Sequence, residues 1–167
     1  LSARKDVGFD LLKLALTKPR FDSEPVERIR AQMLTALKRE TTSPSDIGAR
    51  LWWRTAFPDH PYGRPTNGSL ESVPGIQRDD LTAFTGRVLA RDNLKVGVVG
   101  DIDATELGLV LDRIFGALPA KANLRSVPDV RLASAGKTLQ VELDVPQTVV
   151  SFGGVGIARK DPDYIPA

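Results

Sequence analysis

The only histidine of the chain, His60, stands in "FPDHPYGRP", residues 57 to 65, beside Asp59, Tyr62 and Arg64. A hydrolytic base needs an orienting acid and a nucleophile close by, and a zinc site needs two or three further ligands. The local spacing supplies neither set. A loop histidine between Pro58 and Pro61 reads instead as a turn-building or hydrogen-bonding residue. In "VGDID", residues 99 to 103, Asp101 and Asp103 could offer oxygen ligands to a hard cation. The simpler use is that Asp101 satisfies turn amides and Asp103 caps the next helix. "GGVG", residues 153 to 156, looks superficially like a phosphate-cradling loop, yet the third glycine, the helix start and the later acid are missing. Glycines in such a run mark a bulge or a close backbone approach. The acid pairs Glu24 with Glu27 and Asp79 with Asp80 have basic neighbours and suit solvated helix faces and first turns. From side-chain chemistry alone, no catalytic constellation is complete.

Bulk properties narrow the possible partners. Lysines and arginines number 23 against 21 acids and are interspersed with them, so no basic footprint for nucleic acid is present. Cysteine is absent, which excludes disulfides, thiolate metal sites and a cysteine nucleophile while leaving the compartment open. No stretch approaches the roughly 18 to 20 consecutive apolar residues that span a bilayer. With 41% hydrophobic residues the composition is that of an ordinary globular chain.

The elements that must position these residues can be read from periodicity and breakers. Val7, Leu11, Leu12, Leu14, Ala15 and Leu16 fall on one broad helical face that Pro19 closes. Val26, Ile29, Met33 and Leu37 predict a long amphipathic helix over "DSEPVERIRAQMLTALKRE". "IGARLWWRTAF" reads as a third helix ending at Pro58, in which the adjacent Trp52 and Trp53 cannot bury equally. Residues 58 to 77 form an extended loop with one short turn near "SLESV", and "QRDDLTAFTGRVL" returns to helical spacing. "NLKVGVVG" predicts a strand, "DIDATELGLVLDRIFGALP" a helix capped near Asp103, and "KTLQVELDV" and "QTVVSFGGVGIA" two further strands. Residues 120 to 136 are loosely patterned and read as a linker, and Asp161 before Pro162 reads as a helix start.

Taken in order, "PRF", "EPVERIRAQMLTALKRE", "FPDHPYGRPTNGSLESV", "DLTAFTGRVLARDNLKVGVVGDID", "IFGALP" and "DPDYIPA" resemble the M16 zinc metallopeptidase family, which includes the mitochondrial processing peptidase and insulin-degrading enzymes. The resemblance runs over nearly the whole chain and implies the middle of a longer family member. It implies an α+β class with the LuxS/MPP-like metallohydrolase fold, helices packed on a mainly antiparallel sheet and split across two partial domains. Residues 1–119 would be the latter part of a first M16-like domain, 120–136 a linker, and 137–167 the opening strands of a second.

Active members of that family bind zinc through H-x-x-E-H and a more distant glutamate. This sequence contains no such motif. The distant glutamate lies, by resemblance, on the helix matching residues 24 to 40, in a pattern of two glutamates seven residues apart. Ile29 and Ala36 occupy those places, or Arg28 and Thr35 after a one-residue slip. Neither register offers a carboxylate, and no other side chain there can replace one on zinc. The resemblance therefore implies no catalytic or metal-binding residue here, with Ala36 near the zinc-glutamate position. It further implies a non-catalytic subunit that pairs with a zinc-bearing M16 homologue and helps to enclose a chamber for peptide substrates. Separately, a sheet of only about three strands is marginal on its own and predicts a homo-oligomer or pairing with another chain. By the resemblance, the zinc would be held by the catalytic partner. Alternatives are a fragment of an active zinc endopeptidase whose H-x-x-E-H lies upstream, and a non-proteolytic scaffold or binding module. The arginine and tyrosine with which such partners hold substrate would fall beyond Ala167.

Overall fold

The structure, a computed structural model, describes residues 5–133 and 136–165. Ser134 and Ala135 of the expected linker, with residues 1–4 and 166–167, lie outside the described residues. Among the described residues five α-helices are formed, in chain order α1 (Lys5–Thr17), α2 (Ser23–Glu40), α3 (Pro44–Ala56), α4 (Arg78–Val88) and α5 (Ala104–Phe115). Short 3₁₀ turns occupy Pro61–Gly63, Val73–Gly75, Arg91–Asn93 and Pro162–Tyr164.

Local chemistry sets most of these boundaries. The Ser43 hydroxyl accepts from the Asp46 N–H and Pro44 enters the first turn, so α3 begins inside the "TTSPSD" stretch that reads as a break. The Asp103 carboxylate accepts from the Glu106 N–H at 2.8 Å and starts α5. Asp161 accepts from the Asp163 N–H at 3.0 Å, but it starts only a single 3₁₀ turn.

The expected α+β class is overturned: among the described residues there is no strand and no sheet, and all regular structure is helical. The three predicted strands at 93–100, 137–145 and 147–158 are irregular, apart from the 3₁₀ turn that takes Asn93. Alternation along a chain can give an extended segment an apolar face. A strand is completed only when a neighbouring segment takes up the N–H and C=O groups that point sideways. Among the described residues no neighbour does so, and Val99 and Phe152 stand 104% and 91% exposed. The argument from a three-stranded sheet too small to stand alone, for pairing with another copy or another chain, falls with the sheet.

The backbone clusters into two units, Leu1–Ile29 with Gly75–Ser126, and Arg30–Pro74 with Val127–Ala167. In the first unit α1 packs on α5, with Val110, Ile114, Leu118 and Ala90 buried. Arg113 of α5 reaches Asp6 and Asp10 of α1 at 3.0 and 2.8 Å, and Lys5 pairs with Glu106. Asp10 and then Asp6, through hydrogen bonds that they accept, raise the Arg113 pKa, and the hydrogen bond that Lys5 donates to Glu106 raises that of Lys5. In the second unit the buried residues are Leu37, Ala56, Val73 and His60. There α3 packs against the 3₁₀ turn at Pro61–Gly63.

Candidate functional site

The second unit contains a cleft of about 430 Å³ between the end of α2, α3 and the loop 61–67. One wall carries Asp46, Ala49, Arg50 and Trp53 of α3, four residues spaced to recur on one helical face. The other wall is the loop "PYGRPTN", residues 61 to 67, and Glu40 closes the end. Arg50 Nη2 lies 3.3 Å from Glu40 Oε2, and Asn67 Nδ2 donates to Glu40 Oε1 at 3.4 Å. That pair therefore adds no net charge to the cleft.

Aromatic contacts hold the two walls. Trp53 stacks on Phe57 with ring centres 5.5 Å apart, and Phe57 meets Tyr62 edge to face at 5.8 Å. Trp53 stays 47% exposed and Tyr62 57%, whereas Trp52 is only partly accessible. The two neighbouring indoles are thus unequally buried, as their angular separation on a helix requires. The loop itself is fixed by Gly63, where an added Cβ would stand 2.0 Å from the Phe57 carbonyl oxygen. Only glycine fits there.

His60 is 6% exposed and builds this loop. Its Nδ1 accepts from the Tyr62 N–H at 3.2 Å, and its Nε2 lies 3.0 Å from the Pro128 carbonyl oxygen. An amide can only donate and a carbonyl can only accept, so the ring is the neutral tautomer with its proton on Nε2. Both nitrogens are occupied, leaving no lone pair for a metal or a substrate proton. The local reading of "FPDHPYGRP" as a turn identifies one bond. The second, to Pro128, joins residues 68 apart in sequence.

The other sequence candidates are scattered. Asp103 is the α5 cap, and Asp80 accepts from the Gln77 N–H at 2.8 Å at the start of α4. Gly153 of "GGVG" lies against the Trp52 indole, where a Cβ would come within 2.6 Å of the ring, so this glycine marks a close approach. Ala36 is exposed on α2, as are Ile29, Arg28 and Thr35, and the Thr35 hydroxyl donates to the Ala31 carbonyl at 2.9 Å. Among the described residues no three His, Cys, Asp or Glu side chains converge to hold a metal ion. Nor, among the described residues, is any helix long and apolar enough to cross a membrane. The cleft was not legible as a site from sequence, although the charged and aromatic residues at Asp46, Arg50 and Trp53 carry its helical spacing.

Comparison with known proteins gives these elements a family. Residues 75–167 match the family described as the Peptidase M16 inactive domain. An uncharacterised zinc protease of Mycobacterium leprae is 27% identical over 117 residues, covering 70% of this chain and 26% of that protein. The mitochondrial-processing peptidase subunit beta of Lentinula edodes is 25% identical over 167 residues, covering 96% of this chain and 35% of that protein. The chain thus spans about a quarter to a third of the length of these relatives. The crystal structure of a peptidase M16 inactive domain from Pseudomonas fluorescens superposes with a TM-score of 0.70 at 23% identity, over 75% of this chain and 31% of that one. That likeness concerns the course of the backbone alone. The family match covers more than half of the sequence, and the chain belongs to the peptidase M16 inactive-domain family.

Proposed function

We propose that this chain is part of a non-catalytic M16 subunit that pairs with a zinc-bearing homologue and forms part of the wall of a peptide-binding chamber. The observation that carries the reading is the surface of α2. In both registers of the glutamate pattern, the exposed positions 28, 29, 35 and 36 hold arginine, isoleucine, threonine and alanine. None can replace a carboxylate on zinc, so the catalytic metal belongs to the partner. The domain division at residues 120–136, with 1–119 before it and 137–167 after, is part of the same proposal. The cleft beside Trp53 and Tyr62 supplies a surface that an extended peptide can contact.

The test is affinity purification of the intact protein from its native source under mild conditions. A zinc-bearing M16 homologue should co-purify, and peptidase activity should require both chains. A second reading, a piece of an active zinc endopeptidase, is favoured by the zinc-protease names of the mycobacterial relatives. Recovery of this polypeptide alone as an active, chelator-sensitive peptidase would establish that reading and remove the first.

A further inference from the structure

The geometry of the cleft points to a more specific ligand: we propose that it takes an extended, proline-bearing peptide segment in the polyproline-II conformation, with a basic residue flanking the prolines. This deepens the peptide-binding reading above and rests on it.

Three observations lead there. First, two accessible aromatic rings, Trp53 and Tyr62, line a cleft whose walls also include Pro61 and Pro65. Flat rings of this kind match the ridges that proline rings make on a polyproline-II helix. Second, among the described residues neither the Trp53 indole N–H nor the Tyr62 hydroxyl has a hydrogen-bond partner, and neither is a buried orphan. A polyproline-II backbone makes no internal hydrogen bonds, so its carbonyls are free to accept from such donors. Both rings are pre-positioned, Trp53 by Phe57 and Tyr62 by the His60 ring at 4.5 Å, so little ordering is lost on binding.

Third, the charges select the flank. Glu40 is paired with Arg50, while the Asp46 carboxylate on the helix wall has no cationic partner among the described residues. A basic residue beside the prolines complements it. Arg64, on the loop wall and likewise without an ion pair among the described residues, disfavours a second cation there and so sets the direction of the segment.

The experiment is fluorescence-anisotropy titration of the intact protein with a labelled peptide carrying one arginine followed by five prolines. Two controls have alanine in place of the prolines or glutamate in place of the arginine. Saturable binding of the first peptide, at least fivefold tighter than either control, is expected. Tyr62→Phe, which keeps the ring and removes the donor, and Trp53→Phe, which puts a smaller ring without a donor in place of the indole, should each weaken it several-fold, and Asp46→Asn should erase the preference for arginine. Circular dichroism confirms that each variant is folded. Equal binding of the proline and alanine peptides would overturn this proposal while leaving peptide binding intact. No binding of any peptide would overturn both.

Discussion

Replacing His60 by alanine tests the description of the loop most severely. The substitution removes the bond from Nε2–H to the Pro128 carbonyl and the bond from the Tyr62 N–H to Nδ1, at a residue 6% exposed. A buried donor or acceptor left without a partner costs about 1 to 3 kcal/mol. Water entering the space of the lost imidazole recovers part of this, and the edge-to-face contact with Tyr62 at 4.5 Å, worth about 0.5 to 1.5 kcal/mol, is lost as well. His60→Ala should therefore destabilise the second unit by about 3 kcal/mol. Asparagine places its side-chain oxygen near Nδ1 and can accept from the amide two residues on, but cannot reach Pro128. His60→Asn should thus recover about 1 kcal/mol of the loss. Urea titration followed by tryptophan fluorescence reads both values, since Trp53 contacts Phe57 and Phe57 contacts Tyr62. A cost below about 0.5 kcal/mol for His60→Ala, the range of an ordinary surface substitution, would refute the reasoning. So would asparagine behaving no better than alanine.

Two other substitutions probe separate features. Gly63→Ala would set a Cβ 2.0 Å from the Phe57 carbonyl oxygen, so the turn must open. A loss of about 2 kcal/mol or more in the same titration is expected, and an unchanged midpoint would show that the loop yields freely. The Ser69 hydroxyl, and then the backbone N–H of Glu71 itself, hold the Glu71 carboxyl below its usual value of 4.5. A lowered folded-state value means a contribution present above pH 4.5 and lost as pH falls through the folded value. Glu71→Gln should therefore flatten that part of the acid limb in urea titrations between pH 6 and 3, and identical acid limbs would contradict it.

The helices were legible because their signals are local. The three- and four-residue spacing from Val26 to Leu37 identifies α2, and Asp103 announces the start of α5. The start of α3 was misplaced because "TTSPSD" carries loop residues that also form an N-cap and a first-turn proline. The strands failed for the opposite reason. Leu139, Val141, Leu143 and Val145 alternate correctly and remain half-exposed, because strand formation depends on a distant partner that no local pattern specifies. The site divides in the same way. A structural His60 could be read from its flanking prolines, but its bond to Pro128 could not, nor could the pairing of Glu40 with Arg50 across the cleft.

The central claim, that this chain belongs to a subunit which does not hold the catalytic metal, is tested most directly by zinc stoichiometry. The intact protein, purified from its native source and dialysed, would be separated from any M16 partner and each chain analysed for bound metal. The account predicts no retained zinc on this polypeptide and one on the partner. One equivalent of zinc held by this polypeptide through dialysis, with peptidase activity that a chelator abolishes, would contradict it.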